Sequence, residues 1–253
     1  MKQDAVVVQQ FGGTAAAYAT SAVHAQGADL QTLRTLAAEA NQPRVLDLGC
    51  GAGHASFAVA PCARTVTAYD LSAQMLDVVR AGAVERGLAN IETRQGRAEI
   101  LPFADASFEL VLTRFSAHHW MDVDAALAEV RRVLAPGGRF VVIDIVAPES
   151  PLHDTTLQAV ELLRDASHVR DYRGTEWQRM LVLAGFACEC RSRWKLVMQF
   201  DEWVARMRTP PERVLAIRSL WASAPEETAA YFALQEDDSF AIDAALLVGQ
   251  VAP

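Results

Sequence analysis

A short apolar run followed by three closely spaced glycines constrains this chain more than any other feature. Residues 44–56 read RVLDLGCGAGHAS, so the run leads into Gly49, Gly51 and Gly53, and Asp47 stands two positions before the first glycine. Glycines at this spacing allow a sharp turn from a strand into a helix, and they let a ligand touch the main chain. The free N–H groups at the start of the helix attract an anionic part of that ligand. The segment therefore predicts a nucleotide-type cofactor at the first strand–helix turn.

The order of the glycines and the nearby acid distinguish between two cofactors. A dinucleotide fingerprint, Gly-x-Gly-x-x-Gly, requires its third glycine where this chain has His54. A carboxylate at Asp47 is of no use beside a pyrophosphate, but it suits a ligand with an ammonium or sulfonium group. S-adenosylmethionine carries both groups. The segment therefore favours S-adenosylmethionine, and an NAD(P)-dependent oxidoreductase is the alternative.

A second acid supports a cofactor that contains a ribose. Residues Thr65–Tyr69 predict a short strand followed by Asp70, which lies 21 positions after Gly49, and Ser72 suits the N-cap of a helix over Ala73–Arg86. An acid at this distance from a glycine loop ends the second strand, where it can accept both ribose hydroxyls. Both candidate cofactors carry a ribose, so this acid does not separate them.

Two further motifs extend the pattern. Residues 96–111 read GRAEILPFADASFELV, and residues 134–140 read LAPGGRF. Together with the glycine loop, over about residues 10–150, they resemble class I S-adenosylmethionine-dependent methyltransferases of the small-molecule group related to ubiquinone/menaquinone-biosynthesis (UbiE-like) enzymes. The resemblance implies an α/β, Rossmann-like methyltransferase fold with a seven-stranded, mostly parallel sheet, an antiparallel C-terminal edge hairpin and helical covering segments.

The resemblance also implies where the cofactor is bound. In the family, an acid before the alanine of the adenine-binding loop meets the adenine amino group, but this chain has Arg97 there. A guanidinium cannot accept that hydrogen bond, so we expect the backbone of Ala98 to hold adenine while Arg97 stacks on the ring or points to solvent. The expected cofactor contacts are Asp47, Gly49, Cys50, Gly51, Gly53, Asp70, Leu71, Met75, Arg97, Ala98, Glu99 and Arg114.

Strand and helix patterns alternate between residues 44 and 146, which indicates a parallel sheet covered on both faces. We expect a single domain over residues 1–253, with a cofactor-binding core at about 40–147 and an acceptor cover from 1–39 and 148–235. The outer segments predict helices over 14–25, Leu30–Glu39, Leu152–Arg164 and Thr175–Ala184, an extended region over Phe186–Phe200, mostly helix over Asp201–Tyr231 and a last strand over Phe240–Val251.

Two histidines follow the fourth predicted strand, in the segment FSAHHW at residues 115–120. Imidazole titrates near neutral pH, so His118 and His119 suit a hydrogen-bond donor and a general base. Adjacent residues point in different directions, so we expect one to face the pocket and the other to pack, and His119 is favoured for the pocket. Asp144, near the end of the fifth strand, is a further acid–base candidate, or else a structural carboxylate. Adjacent histidines rarely converge on one ion, so no metal site is expected.

The segments expected to cover the pocket carry aromatic and basic side chains that suit a planar acceptor. The chemistry would be an in-line displacement by an O, N or C nucleophile of a small, hydrophobic or aromatic metabolite. Carbon methylation of a quinone-like ring and N- or O-methylation of a heteroaromatic natural product both remain open, as does a cofactor-binding scaffold protein without catalysis. The expected acceptor contacts are Tyr18, Trp120, His153, Trp177, Trp203 and Arg206.

Composition narrows the class of protein. A net charge of −8 argues against a nucleic-acid substrate, because phosphate binding needs a basic surface. No apolar run approaches the roughly 20 residues of a membrane span, and the N-terminus lacks a signal-peptide pattern. The four cysteines complete no paired metal motif. We therefore expect a cytoplasmic protein without membrane insertion, either a monomer or a homodimer.

Overall fold

The structure, a computed structural model, describes residues 2–12 and 27–252, so the helix predicted over 14–25 lies outside the described residues. The strands in these ranges are β1 (Arg44–Leu48), β2 (Thr65–Asp70), β3 (Ile91–Gln95), β4 (Phe108–Arg114), β5 (Leu134–Ile145), β6 (Ala187–Met198) and β7 (Phe240–Gln250). They form one sheet in the order β3-β2-β1-β4-β5-β7-β6. Strands β1 to β5 pair in parallel, and β7 is antiparallel to both β5 and β6. The predicted mostly parallel sheet with an antiparallel C-terminal strand pair is confirmed.

Helices connect and cover these strands. They are α1 (Gln3–Gly12), α2 (Ala28–Glu39), α3 (His54–Val59), α4 (Ala73–Glu85), α5 (Val123–Val133), α6 (Pro151–Arg164), α7 (Gly174–Leu183), α8 (Phe200–Arg206), α9 (Pro211–Ala222) and α10 (Glu226–Tyr231), with short 3₁₀ turns at Ala60–Cys62 and Ala117–His119. The sequence patterns predict all of the longer helices in outline except α1. None of the described helices is long and apolar enough to cross a membrane.

Local sequence signals explain several boundaries. The Ser72 hydroxyl accepts a hydrogen bond from the Met75 N–H at 3.3 Å and begins α4 as predicted. Proline breaks the helical region after Phe200: Pro211 occupies the first position of α9, where its missing N–H has no cost, and Pro225 precedes α10.

One strand differs from its prediction. The motif at residues 134–140 predicts a turn that leads into a strand over Arg139–Val146. In the structure β5 begins at Leu134, which pairs with Phe108 of β4 before the register shifts and pairing resumes between Leu110 and Arg139. The Pro-Gly-Gly turn therefore lies inside an irregular strand rather than before it.

The inner strands are buried on both faces, which is why β1, β4 and β7 are apolar along most of their length. The edge strands β3 and β6 are more polar and largely exposed. On one face, Leu36 of α2 and Val59 of α3 pack with Val45 of β1. On the other face, Val130 of α5 packs in a cluster with Leu46. Neighbouring residues of β1 thus join different clusters, because successive side chains of a strand point to opposite faces.

The C-terminal helices form a further cluster over the antiparallel edge of the sheet. Leu157 of α6, Trp203 of α8 and Trp221 of α9 pack with Phe240 of β7. Ile145, the last residue of β5, belongs to the same cluster, so these helices stand beside the carboxyl end of β5.

The strand order reverses between β1 and β4, and ligands of open α/β sheets bind in the crevice at such a point. The loops that follow these two strands touch. A Cβ added at Gly49 would lie 1.9 Å from the Ser116 hydroxyl oxygen. The fold therefore brings the glycine loop and the segment FSAHHW to one crevice.

Candidate active site

A cavity of about 1060 Å³, partly open to solvent, lies at this crevice. His119 and Trp120 from the segment after β4 line it, together with Asp4, Val7 and Phe11 of α1. All of the expected cofactor contacts except Gly53 line this first cavity, namely Asp47, Gly49, Cys50, Gly51, Asp70, Leu71, Met75, Arg97, Ala98, Glu99 and Arg114.

The glycine loop is tied to β2 and leaves open space beside its middle glycine. The N–H groups of Gly49 and Cys50 donate to the carbonyl oxygen of Tyr69 at 2.8 and 3.1 Å. Gly51 has φ +51°, and a Cβ added there would meet no atom within 4 Å. Because Gly51 lines the first cavity, a ligand can contact the main chain at this position.

Gly53 has a different role from the one that the sequence predicts. It does not line the first cavity. Its φ is +86°, and an added Cβ would lie 2.9 Å from Val79 Cγ2 and 3.0 Å from Phe57 Cζ. The expected cofactor contact at Gly53 is therefore corrected: this glycine begins α3 and lets it pack closely against α4.

Asp47 presents a buried carboxylate to the first cavity. Its side chain is 1% exposed, and Oδ2 accepts a hydrogen bond from the Ser56 hydroxyl at 2.6 Å. Oδ1 has no hydrogen-bond partner among the described residues. Burial raises the pKa of Asp47 to about 6, against the opposing hydrogen bond from Ser56. A cationic ligand group beside Oδ1 would satisfy this oxygen and favour the ionised carboxylate.

Asp70 ends β2 with both oxygens hydrogen-bonded to backbone groups. Oδ2 accepts from the Gly51 N–H and Oδ1 from the Ser72 N–H, each at 2.8 Å. Burial raises the pKa of Asp70, and these two hydrogen bonds oppose the rise. A carboxylate oxygen has two lone-pair positions, so each oxygen can accept a further hydrogen bond from a ligand hydroxyl.

Arg97 is held by carboxylates, a pairing that the sequence does not predict. Its Nη1 lies 3.0 Å from Oδ2 of Asp4, and its Nε lies 3.4 Å from Oε2 of Glu99. The other oxygen of Glu99 accepts from the backbone N–H of Met121 at 3.0 Å. Arg97 and Glu99 thus connect the loop after β3 with α1 and with the turn before α5.

Arg114, at the end of β4, makes a buried ion pair with Asp29 of α2. Its guanidinium also lies 4.8 Å from the ring centre of Phe115. Phe115 adopts φ +51°, a conformation that is rare and strained for an aromatic residue. This left-handed conformation turns the chain sharply after β4, into the segment that contains the histidines.

The two histidines differ in charge because their partners differ. His118 Nδ1 lies 2.7 Å from Oδ1 of Asp144. Burial opposes the charged imidazole, but the charge and hydrogen bond of Asp144 raise the pKa of His118 to about 9. His119 lies beside it, with ring centres 4.2 Å apart, and burial and the neighbouring charge lower its pKa to about 4. At neutral pH, His118 is therefore cationic and His119 is neutral.

The tautomer of His119 follows from its partner. Its Nδ1 lies 3.1 Å from the backbone carbonyl oxygen of Ser167, which can only accept. Nδ1 therefore carries the proton, and Nε2 has a free lone pair. Asp165 is near this lone pair, with its Oδ2 3.9 Å from Nε2.

A second cavity, of about 670 Å³ and also partly open to solvent, lies on the other side of His119. His118 lines the second cavity but not the first, whereas His119, Phe11 and Phe115 line both cavities. The expectation that only one histidine faces a pocket is therefore wrong. Trp203 and Arg206, two of the expected acceptor contacts, line the second cavity, and Trp120 lines the first.

Two expected acceptor contacts lie elsewhere, and Tyr18 is outside the described residues. Trp177 is 1% exposed and packs edge-on against Tyr172 in the core between α7 and the sheet. The ring of His153 stacks on Tyr231 with centres 4.4 Å apart. Neither residue lines the first or the second cavity, so both are corrected from acceptor contacts to packing residues.

Two groups of lining residues are not predicted from the sequence. The sequence pattern of α1 does not predict a helix, because α1 has only ten residues and its apolar face is weak. The second group lies in the segment after α6 and has ionisable side chains at every third position. This regular spacing is a signal from which the group could have been predicted. These groups are Asp4, Val7 and Phe11 in the first cavity, and Asp165, His168 and Asp171 in the second.

The first cavity fits S-adenosylmethionine. Asp47 offers an unpartnered buried carboxylate oxygen for an ammonium group, and Asp70 offers two oxygens for ribose hydroxyls. The space beside Gly51 admits a ligand to the backbone. No group of three or more histidine, cysteine, aspartate or glutamate side chains in the described part of the chain is placed to hold a metal ion.

Fold and site together define a class I S-adenosylmethionine-dependent methyltransferase, and the chain belongs to this family. Residues 46–142 match the family described as a methyltransferase domain. The cofactor is S-adenosylmethionine, and the NAD(P) alternative is set aside.

Relatives of known sequence and structure support the assignment. The chain is 51% identical to the Escherichia coli protein YafE over 77% of this chain and 94% of that protein. It is 39% identical to YcgJ of Bacillus subtilis, called an uncharacterized methyltransferase, over 80% of each chain. The crystal structure of YcgJ superimposes with a TM-score of 0.83, at 35% identity, over 88% of this chain and 99% of YcgJ.

A more distant relative connects the chain to the UbiE group. It is 38% identical to the ubiquinone/menaquinone biosynthesis C-methyltransferase UbiE of Rubrivivax gelatinosus, over 46% of this chain and 44% of that enzyme. The similarity to this enzyme therefore spans less than half of either chain.

Proposed function

We propose that this enzyme methylates a small hydroxylated aromatic ring of the quinol type, bound in the second cavity, with His119 as general base and His118 as hydrogen-bond donor. The observation that carries the proposal is that His119 lines both cavities. A base in this position is within reach of both a cofactor in the first cavity and an acceptor in the second.

The lining of the second cavity suits a flat apolar ring with polar substituents. Ile145, Leu196, Trp203 and Ile242 contribute apolar surface. His118 contributes a charged donor at one wall. Cavities of this kind hold a ligand by apolar contact and orient it with a few polar groups. The UbiE relative is named for carbon methylation in ubiquinone and menaquinone biosynthesis, which supports an acceptor of this chemical class.

Bound S-adenosylmethionine supplies an electrophilic methyl group on a sulfonium. His118 uses Nδ1 to donate to Asp144, so its protonated Nε2 can donate to an acceptor oxygen. The acceptor loses one proton as it gains the methyl group, and Nε2 of His119 receives that proton. The carboxylate of Asp165, 3.9 Å away, then stabilises the new imidazolium. Alignment of the acceptor with the methyl group contributes most of the acceleration.

We also propose that the chain works as one domain, with residues of about 40–147 binding the cofactor and the flanking segments covering the acceptor. The N-terminal helix α1 serves both parts, because Asp4 and Val7 line the first cavity and Phe11 lines both.

The test is a screen of purified enzyme with S-adenosylmethionine against hydroquinones, naphthols, nitrogen heteroaromatics and aliphatic alcohols. Formation of S-adenosylhomocysteine and a methylated product is followed by mass spectrometry. We expect turnover of the hydroxylated rings, and a loss of about 10²–10⁴-fold in kcat for His119→Ala. Affinity for S-adenosylhomocysteine should change little. His153→Ala is the matched control, because His153 lines neither cavity.

The other outcomes contradict the proposal in distinguishable ways. Turnover of nitrogen heteroaromatics alone, with His119→Ala fully active, would favour heteroaromatic N-methylation. Normal cofactor binding without methylation of any acceptor would favour the non-catalytic alternative.

A further inference from the structure

The ion pair between Arg97 and Asp4 stands where the sequence departs from the family pattern. The loop after β3 carries Arg97 at the position of the expected acid, and Asp4 of α1 brings a carboxylate to the same wall. Both side chains line the first cavity, next to Gly96 and Ala98. The wall therefore holds a carboxylate after all, supplied from a helix that lies more than 90 positions earlier in the chain.

The carboxylate of Asp4 is less engaged than that of the other nearby acid. Oδ2 of Asp4 lies 3.0 Å from Nη1 of Arg97, and the Asp4 side chain is 35% exposed, against 12% for Glu99. Glu99 directs one oxygen to the backbone N–H groups of Met121 and Asp122, at 3.0 and 3.4 Å, and the other towards Arg97.

We propose that Asp4 accepts the hydrogen bond of the adenine amino group and so makes the enzyme selective for the adenine base of its cofactor. Arg97 is then a positioning residue that fixes the carboxylate and balances its charge. A carboxylate only accepts, so it favours the amino group at C6 of adenine and repels the carbonyl oxygen at C6 of hypoxanthine. A site built to hydrogen-bond one group discriminates against an analogue that lacks it.

Contacts elsewhere also hold α1 in place, so the role of Asp4 can be tested separately from docking of the helix. The side-chain amide of Gln3 donates to the backbone oxygen of Ser167 at 2.7 Å, and Gln3 does not line the first cavity. A variant at Gln3 loosens the same helical turn without removing the carboxylate. The proposal depends on the cofactor and not on the proposed acceptor.

The experiment compares the calorimetric affinities of S-adenosylhomocysteine and S-inosylhomocysteine. Wild type should prefer the adenine compound. An amide both donates and accepts, so in Asp4→Asn the ratio of the two affinities should shrink by at least about tenfold. Asp4→Ala should shrink the ratio as well, by weakening adenine binding alone. Gln3→Ala should weaken both compounds equally and leave the ratio as in wild type.

Thermal unfolding of each variant confirms that it is folded. If Asp4→Asn and Asp4→Ala weaken both compounds equally, Asp4 only docks α1 and the proposal is overturned. Unchanged affinities overturn it as well. The readout is binding alone, so failure of the proposed methyl acceptor would leave this result intact.

Discussion

Alanine at Gly53 tests whether this glycine serves packing rather than the cofactor. The left-handed backbone costs an alanine about 1–2 kcal/mol. The added Cβ, 2.9 Å from Val79 Cγ2 and 3.0 Å from Phe57 Cζ, adds crowding of about 1–3 kcal/mol. The free energy of unfolding should therefore fall by about 2–5 kcal/mol, which lowers Tm by about 4–20 °C for a chain of this size. Cofactor affinity of the folded protein should be retained.

Alanine at Gly51, two residues earlier, should weaken cofactor binding and have a smaller effect on stability. Its added Cβ meets no protein atom within 4 Å, so only the backbone cost reduces stability. The same methyl group projects into the first cavity and competes with the ligand for space. A cost of about 1–3 kcal/mol there weakens S-adenosylhomocysteine by about 5- to 150-fold.

Differential scanning calorimetry and isothermal titration on the two variants separate these effects. Gly87→Ala is the matched control, since Gly87 also has a left-handed φ of +65° and an unobstructed Cβ direction, but lies outside the first cavity. It measures the backbone cost alone. The roles assigned to Gly53 and Gly51 are wrong if Gly53→Ala melts like Gly87→Ala but loses the cofactor, or if Gly51→Ala binds S-adenosylhomocysteine as tightly as wild type.

Three further predictions concern the acids, the histidine pair and the core. Asp70→Asn should weaken S-adenosylhomocysteine by about tenfold or more in a calorimetric titration, because an amide offers one accepting oxygen instead of two. Thermal stability should fall as pH rises from 6.5 through about 9, because the folded state holds the proton of His118 more tightly than the unfolded chain; Asp144→Asn should abolish this slope. Acidification below 6.5 should also destabilise, because His119 has a pKa of about 4 when folded and resists protonation. Trp177→Ala should cost about 3–5 kcal/mol in denaturant unfolding and leave cofactor affinity of the folded protein unchanged; weakened binding would return Trp177 to the site.

The sequence predicts much of the lining of the first cavity because its signals are local. The glycine loop between β1 and α3 and the acid that ends β2 each lie within a few residues of the element that positions them. Glycine spacing and strand ends constrain the backbone directly, so Gly51 and Asp70 line the first cavity as expected. The error at Gly53 shows the limit: spacing marks a left-handed residue, but only its neighbours reveal whether a ligand or another helix lies beside it.

The other half of the site depends on pairs that are distant in sequence. Asp4 meets Arg97, and Asp144 meets His118, through the packing of whole elements against the sheet. The charge difference between the two histidines arises from their partners and from burial. Neither can be read from the sequence near the histidines. An aromatic side chain in the sequence likewise does not reveal whether it packs in the core, as Trp177 does, or lines the second cavity, as Trp203 does.

The sequence by itself determined the class of fold and the family, and it predicted most of the residues that line the first cavity, because hydrophobic periodicity and glycine conformation act over a few residues. Only the tertiary structure decided which residues form the wall between the two cavities. Phe11, Phe115 and His119 come from separate segments and meet there because the elements that carry them pack at the same end of the sheet.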